Sequence, residues 1–302
     1  MKLTELARRC AREIVEIQGD CEVAIPFINS RQKTENGLFF CISGARFDAH
    51  DFAGQAVENG AAALVVERLL PLDVPQIRVA NVREAMGPMC AALYGNPADR
   101  MKMVGITGTK GKTTSSYLIK AILEAAGMKV GLIGTTGNMI GSTFLHGEMT
   151  TPEAHDLQGL LHTMAEQQVE AVVMEVSAHA IDMHRIDGIQ YDVGCYTNLS
   201  QDHLDYFGSM ERYFEAKKAF FVPKYVRQAA LNVDDETSLR IMRDIAVPYL
   251  RYGISTNAEL YARDIEISET GVTFRVCVLE QGERVVHLQL TGIFNVYNAL
   301  TA

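Results

Sequence analysis

The sequence predicts an α/β fold in two parts: a small N-terminal α/β domain, and a central domain with a doubly wound parallel sheet and a small antiparallel β extension. Three observations predict this class. The 302 residues exceed the usual size of one hydrophobic core. Apolar strand segments alternate with helical segments through most of the chain, as in parallel sheets. After Asp264, apolar and polar residues alternate with the period of two that antiparallel strands show.

The N-terminal part is predicted to span residues 1–96, because Gly95 and Pro97 end a helical segment there. Within it, the apolar spacing predicts helices at 3–15, 51–59 and 83–93, and strands at 38–41, 63–66 and 77–79.

The central part, residues 97–302, alternates more regularly. Its predicted strands are 103–106, 130–133, 171–176, 193–197 and 229–232, with helices at 113–126, 155–167 and 210–221; strands 265–267, 272–279 and 284–290 and a helix at 294–300 follow. Ligands of such sheets gather at the carboxyl ends of the strands. This rule places the segments 108–113, 175–179 and 198–203 on one rim.

The composition limits the function. With 28 basic and 37 acidic residues the net charge is −9, which argues against a general binder of nucleic acids or anionic membranes. The six cysteines form no C-x-x-C pair, so reduced thiols are expected rather than zinc or disulfides. Charged residues interrupt the first 20 residues, which excludes the apolar core of a signal peptide, and no apolar run is long enough to insert into a membrane. The predicted location is cytoplasmic.

A glycine-rich turn between a predicted strand and a predicted helix indicates a phosphate-binding loop, the P-loop. Its residues are Gly108, Thr109, Lys110, Gly111, Lys112, Thr113 and Thr114. Backbone N–H groups of such a turn bind phosphate oxygens, while the lysine reaches the terminal phosphates and the first threonine reaches Mg²⁺. ATP and Mg²⁺ are therefore the predicted cofactors, since no Asn-Lys-x-Asp motif for GTP follows.

Other polar residues allow two interpretations each. Glu175 ends an apolar strand, where it either binds Mg²⁺ or caps the next turn. The stretch from Asn198 to Asp205 holds His203 between acids, which suits a metal site or a solvated turn. Lys217 lies on a helix, where solvent exposure is the common outcome. Arg185 suits a substrate carboxylate or phosphate, or a helix surface.

Taken together, the ordered motifs resemble those of the Mur ligase family, and within it the branch that makes the UDP-muramoyl tripeptide. The motifs are Asn29-Ser30-Arg31, residues 108–114, Thr150-Thr151-Pro152, Met174-Glu175-Val176-Ser177, residues 197–206, Glu215-Ala216-Lys217 and residues 294–300.

The resemblance implies an ATP-dependent ligase of peptidoglycan synthesis that adds an amino acid to UDP-MurNAc-L-Ala-D-Glu through an acyl phosphate. It further implies that Lys112, Lys217 and His203 are catalytic and that Asn295 lies beside the nucleotide base. One Mg²⁺ would be held by Thr113 and Glu175, and a second by His203 and an N-carboxylated Lys217. The UDP precursor would contact Ser30 and Arg31 with its uridine part, and Thr150, Thr151, Ser177 and Arg185 with its peptide part.

The resemblance also implies a third, C-terminal ligase domain of on the order of 100 to 200 residues, which we expect to be absent from this chain. The chain alone is then expected to bind nucleotide and precursor but to ligate poorly. Two rival interpretations remain: a folylpolyglutamate synthase-like ligase, and a non-catalytic nucleotide-binding subunit. The identity of the added amino acid stays open.

Overall fold

A computed structural model describes residues 1–44, 47–145, 147, 149–254 and 258–302. Contacts between residues divide the chain into two compact units. The first unit comprises Met1–Ala98, Glu153–Thr163 and Met183–Ile189, and the second Asp99–Pro152, Met164–Asp182 and Gln190–Ala302. The predicted α/β class is confirmed. Each unit is made of separate stretches of the chain, whereas the predicted domains are continuous in sequence. The domain boundary after residue 96 therefore stays a prediction.

The first unit contains a parallel sheet with one antiparallel edge strand. Its elements are α1 Leu3–Arg9, β1 Ile14–Gln18, β2 Ile25–Phe27, β3 Gly37–Phe40, α2 Ala53–Glu58, β4 Ala61–Val66, β5 Gln76–Val79 and α3 Val82–Leu93. Across the described residues the strand order is β1-β5-β4-β3-β2, and only β1 runs antiparallel to its neighbour. Both faces of the sheet are covered, because Leu38 and Phe40 of β3 lie in one apolar cluster and Phe39 in another.

The predicted helix at residues 3–15 is wrong beyond Arg9. Residues from Ile14 form β1, in which a β-bulge between Ile14 and Glu16 shifts the register against β5. A bulge lets residues three apart face the same side of a strand. Ile14 and Ile17 therefore pack against the same core, with a spacing that imitates a helix in the sequence.

The rest of the chain carries a longer series of elements. They are β6 Lys102–Thr107, α4 Lys112–Ala125, β7 Val130–Gly134, β8 Gly137–Ile140, β9 Thr143–Leu145, α5 Ala154–Glu166, β10 Ala171–Glu175, α6 Ala178–Asp182, β11 Tyr191–Tyr196, α7 Leu204–Phe207, α8 Met210–Lys218, β12 Val226–Asn232, α9 Glu236–Asp244, β13 Tyr249–Gly253, β14 Leu260–Ser268, β15 Gly271–Val278, β16 Gly282–Leu288 and α10 Ile293–Thr301. The structure thus adds β8, β9, β13, α6, α7 and α9 to the elements predicted for this part of the chain.

The strands of the second unit form one continuous sheet. Over the described residues their order is β16-β15-β14-β13-β12-β11-β6-β10-β7-β8-β9, with the seven strands from β14 to β7 parallel. The antiparallel extension predicted near the end of the chain is confirmed, and it continues the parallel sheet, because β14 pairs with both β13 and β15.

The position of β6 determines where a ligand site can form. This strand pairs with β10 on one side and β11 on the other, both parallel, so the carboxyl ends of all three strands meet at one edge. The predicted rim is therefore confirmed. In the part of the chain that the structure describes, no helix has both the length and the apolar character needed to cross a membrane.

Candidate nucleotide-binding site

The turn between β6 and α4 requires glycine at two positions. Gly108 has a φ of +151° and Gly111 a φ of +89°. A Cβ atom on Gly108 would lie 1.9 Å from Thr197 Oγ1, and one on Gly111 would lie 2.4 Å from Asn298 Oδ1. Any larger residue would therefore displace the side chains that surround the turn.

Side chains that follow β11 hold this turn in place. The Lys110 N–H donates to Asn198 Oδ1 at 2.9 Å, and Thr197 Oγ1 donates to the Lys110 carbonyl oxygen at 2.7 Å. The Thr109 N–H donates to the Asn198 carbonyl oxygen at 2.9 Å. Residues outside the turn therefore hold it in place. Thr114, the last residue of the predicted P-loop, lies half-buried on the first turn of α4. The sequence placed Asn198 on this rim but did not assign it this supporting role.

Two lysines point at the same part of the turn. Lys112 Nζ donates to the carbonyl oxygens of Gly108 at 2.9 Å and Thr109 at 3.1 Å. Lys217, on α8, is 1% exposed and also donates to the Gly108 carbonyl oxygen, at 2.9 Å. Burial lowers the pKa of both amines. Asp202 opposes this shift at both lysines, Glu175 opposes it at Lys112, and the charge of Lys112 adds to it at Lys217. The solvent-exposed alternative for Lys217 is therefore wrong.

Glu175, at the end of β10, is held by hydroxyl and backbone donors. Thr113 Oγ1 donates to Glu175 Oε2 at 3.1 Å. Thr135, directly after β7, donates its N–H to Oε1 at 3.0 Å and its hydroxyl to Oε2 at 3.1 Å. Thr135 was not predicted as a site residue, although its place directly after a parallel strand was a signal for it.

Three of the predicted precursor-binding residues surround the same strand end. Thr150 Oγ1 lies 3.0 Å from Thr135 Oγ1. Thr151 is buried, and its hydroxyl donates to the Glu175 carbonyl oxygen at 2.8 Å and accepts from the Ser177 N–H at 3.1 Å. These bonds connect the Thr150-Thr151 segment to Thr135 and to the backbone of the strand end that carries the Glu175 carboxylate.

The oxygen atoms of Glu175 and Thr113 are ligands of the kind that Mg²⁺ prefers. Within the described residues, no group of three or more His, Cys, Asp and Glu side chains is arranged to hold a metal ion. Mg²⁺ does not need such a group, because proteins usually bind it through one or two carboxylates together with substrate phosphates and water. The Glu175 carboxylate and the Thr113 hydroxyl, 3.1 Å apart beside a phosphate-binding turn, provide such a set.

His203 precedes α7 in the left-handed backbone conformation, with a φ of +52°. Its side chain is 48% exposed and its Nε2 lies 3.8 Å from Asp202 Oδ2. The His179 ring meets the His203 ring edge-on at 4.8 Å, and the Tyr213 ring does so at 6.0 Å. A second metal site at His203 and Lys217 stays a prediction.

A cavity of about 490 Å³ opens beside the turn. It is lined by Lys110, Gly111, Thr197, Asn198, Asn232, Asp234, Asp235, Phe294, Tyr297, Asn298 and Thr301. Asn298 lies in this lining, whereas the predicted Asn295 donates its Nδ2 to the Thr291 carbonyl oxygen and accepts from Asn298 Nδ2 at 2.9 Å. The structure thus indicates Asn298, three residues further along α10, as the wall of the cavity.

The remaining predicted precursor-binding residues belong to the first unit. Ser30 Oγ donates to Gln55 Oε1 at 2.7 Å, and Arg31 is exposed. Arg185 forms an ion pair with Glu153 at 2.7 Å, and Glu153 also lies 3.4 Å from Arg83. A carboxylate between two guanidinium groups was not predicted.

The fold and this site define a P-loop nucleotide-binding protein of the α/β class. Residues 106–302 match the family model "Mur ligase middle domain", and residues 22–94 match "Mur ligase family, catalytic domain". The chain belongs to the Mur ligase family.

The chain is also similar to individual curated relatives and to a solved structure. The UDP-N-acetylmuramoyl-L-alanyl-D-glutamate–2,6-diaminopimelate ligase of Geobacillus thermodenitrificans is 41% identical, over 100% of this chain and 63% of the relative. Ligase 1 of that name from Clostridium acetobutylicum is 40% identical, over 99% and 62%. A solved structure of such a ligase has a TM-score of 0.84 at 29% identity, over 92% of this chain and 58% of that chain. This chain therefore spans less than two thirds of the length of these proteins.

Proposed function

We propose that this chain functions in an ATP-dependent amide ligase that joins 2,6-diaminopimelate to UDP-MurNAc-L-Ala-D-Glu. The curated relatives carry this activity in their names. The observation that carries the proposal is the convergence of Lys112, Thr113 and Glu175 at one glycine-rich turn, with the buried Lys217 against the same turn. The cytoplasmic location stays a prediction.

The proposed reaction begins by making the substrate carboxylate electrophilic. One carboxylate oxygen attacks the γ-phosphorus of ATP, ADP leaves, and an acyl phosphate forms. The incoming amine then attacks the acyl carbon, phosphate leaves, and the nitrogen loses a proton to give the amide. Bound Mg²⁺ would neutralise phosphate charge in this chemistry.

The residues of the turn take separate roles in this proposal. Lys112, which is half-buried, leaves the carbonyl oxygens of its own turn and binds the β- and γ-phosphates. Thr113 and Glu175 hold one Mg²⁺, and Thr135 orients the Glu175 carboxylate through two hydrogen bonds. Asn298 and the cavity beside it accommodate the nucleoside.

For Lys217 we propose an N-carboxylated form that would bind a second Mg²⁺ together with His203. The lowered pKa of Lys217 favours the neutral amine, whose lone pair attacks the carbon of CO₂. A proton then leaves the nitrogen, and a carbamate anion remains. This modification converts a buried amine into a carboxylate-like oxygen ligand.

The precursor is proposed to contact both parts of the chain. Residues 1–96, with Ser30 and Arg31, would bind its uridine part, while residues 97–302 would form the ATPase domain. Thr150, Thr151, Ser177 and Arg185 would contact the muramoyl peptide; of these, Thr151 and Ser177 are already joined to the Glu175 strand end.

The test is a calorimetric titration of this chain with UDP-MurNAc-L-Ala-D-Glu and, separately, with a folate. Saturable binding of the UDP compound alone supports the proposal. The variant Arg31→Ala should weaken that binding, whereas Arg284→Ala, which changes an exposed arginine on β16, should not. Binding of folate instead would favour the rival ligase, and binding of neither would overturn the precursor assignment.

A second titration tests the nucleotide site independently. Mg²⁺–ADP should bind the wild-type chain and bind Lys112→Ala at least about 10-fold more weakly, since a charge-assisted contact with phosphate is lost. Equal affinity of the two proteins would contradict the P-loop assignment, whatever the outcome with the precursor.

A further inference from the structure

Tyr213 is a buried residue of α8 that neither the sequence motifs nor the proposed function includes. It is 1% exposed, and it precedes Lys217 by four residues, so the two side chains lie on the same face of the helix. This face is directed at the phosphate-binding turn, because the Lys217 amine donates to the Gly108 carbonyl oxygen.

The hydroxyl of Tyr213 reaches the turn itself. It lies 3.3 Å from Thr109 Oγ1. Thr109 Oγ1 also donates to the Ser200 carbonyl oxygen at 3.3 Å and accepts from the Ser200 N–H at 3.0 Å. A threonine hydroxyl has one hydrogen, so with this arrangement the Tyr213 hydroxyl is the donor to Thr109.

The ring of Tyr213 touches the two groups that are predicted to hold the second metal ion. Lys217 Nζ lies 4.6 Å from the ring centroid, and the His203 ring lies 6.0 Å away at an interplanar angle of 77°. Phe207 packs against the same ring at 5.2 Å. The side chain of His203 is about half exposed, and the rings that contact it are those of His179 at 4.8 Å and Tyr213 at 6.0 Å.

We propose that Tyr213 is a positioning residue with two separable functions. Its hydroxyl holds the phosphate-binding turn at Thr109, and its ring sets the places of Lys217 and His203 relative to that turn. The hydroxyl therefore affects nucleotide affinity with or without metal, whereas the ring affects how strongly Mg²⁺ raises that affinity. This inference rests on the proposed function.

Two substitutions separate these functions. Tyr213→Phe removes the hydroxyl and keeps the ring, while Tyr213→Met removes the ring and leaves an apolar side chain. The matched control is Tyr191→Phe, because Tyr191 is also fully buried in the second unit and its hydroxyl contacts only the Met174 sulfur among the bonds that the structure describes.

The measurement is the dissociation constant of ADP by calorimetry, with Mg²⁺ and with EDTA, and their ratio. Tyr213→Phe should weaken binding about 3- to 10-fold in both conditions and leave the ratio unchanged, as expected for one hydrogen bond. Tyr213→Met should reduce the ratio about 10-fold. Tyr191→Phe should match the wild-type protein in both values, since it removes a buried hydroxyl that contacts the Met174 sulfur and not the phosphate-binding turn.

Circular dichroism establishes that each variant is folded before it is compared. An unchanged ratio in Tyr213→Met overturns the positioning function of the ring, and a loss of affinity in Tyr191→Phe equal to that in Tyr213→Phe overturns the function of the hydroxyl. If Tyr213→Met does not fold, Tyr213→Phe decides the proposal, which fails if its affinity stays within twofold of wild type. A wild-type chain without Mg²⁺-dependent nucleotide binding would instead overturn the proposed function itself.

Discussion

Lys112 and Lys217 donate hydrogen bonds to one carbonyl oxygen, that of Gly108, each at 2.9 Å. Two ammonium groups at one acceptor repel each other. Burial, and then the charge of Lys112, lower the pKa of Lys217 well below its usual 10.5. Asp202 opposes this shift at both lysines and Glu175 opposes it at Lys112, so the pKa is lowered further at Lys217 than at Lys112.

Lys217 should make stability depend on pH. Its pKa is lower in the folded chain than in the unfolded chain, so between these two values the unfolded chain binds more protons at this site. The free energy of unfolding of the wild-type chain should therefore rise with pH relative to Lys217→Met, with a slope approaching about 1.4 kcal/mol per pH unit, and level off near pH 10.5.

This difference is measured by urea denaturation at several pH values below 10.5 in CO₂-free buffer. The control is Lys33→Met, which changes an exposed lysine. A difference between wild type and Lys217→Met that does not change with pH would show that burial does not suppress the charge of Lys217.

Glu175→Gln should remove the Mg²⁺ dependence of nucleotide binding. The substitution keeps the shape of the side chain, but it removes the negative charge to which Thr113 and Thr135 donate hydrogen bonds. Hydrogen bonds to a charged group contribute roughly 1.5–3 kcal/mol, so the affinity for Mg²⁺–ADP should fall about 10- to 100-fold. The metal-free affinity should change little. Calorimetry with and without Mg²⁺ measures both.

The matched control for that experiment is Glu124→Gln, which changes a glutamate that pairs with Lys120 on α4. If Glu175→Gln retains wild-type affinity for Mg²⁺–ADP, the carboxylate only caps the next turn, as the second interpretation of the sequence predicts.

Gly108→Ala should disrupt the phosphate-binding turn through a steric contact. Its Cβ would lie 1.9 Å from Thr197 Oγ1, which anchors the Lys110 carbonyl oxygen. Gly127 is the control: its φ is +91°, but a Cβ atom there would have open space for 4 Å around it. Gly127→Ala should therefore lower stability only through the strained backbone conformation, by about 1–2 kcal/mol. We expect nucleotide affinity to fall more than about 10-fold, or roughly 1.4 kcal/mol, in Gly108→Ala alone.

Calorimetry with ADP and thermal denaturation of both variants check this expectation. Equal nucleotide affinities in Gly108→Ala and Gly127→Ala would mean that the close approach of Thr197 does not control the turn.

Asn298→Ala and Asn295→Ala should have different consequences. Asn298 lines the cavity and contacts Ser115 Oγ at 3.4 Å, so its loss should weaken ADP binding about 3- to 10-fold. Asn295 bonds to Thr291 and Asn298, so its loss should mainly lower stability, by about 1 kcal/mol. The reverse pattern, measured by calorimetry and urea denaturation, would support Asn295 as the nucleotide contact.

Most of the central fold was predictable because residue types close together in the sequence determine its strands and helices. Alternating strand and helix segments place strand ends, and parallel pairing brings those ends to one edge. The proximity of Thr113 and Glu175 follows from that rule, although their residues are 62 positions apart. The error at β1 arose because a bulge gives two isoleucines a helix-like spacing, and only pairing with β5 distinguishes the two structures.

The sequence by itself determined the α/β class and the glycine-rich turn with Lys112 and Thr113 directly after it, since each depends on residue types at short spacing. Tertiary structure alone decided that Lys217 is buried against Gly108, that Thr135 holds Glu175, and that Asn298 rather than Asn295 lines the cavity. These outcomes depend on which surfaces of distant elements meet. The burial of a lysine, and with it the pKa of its amine, depends on these contacts and not on the residues that neighbour it in the sequence.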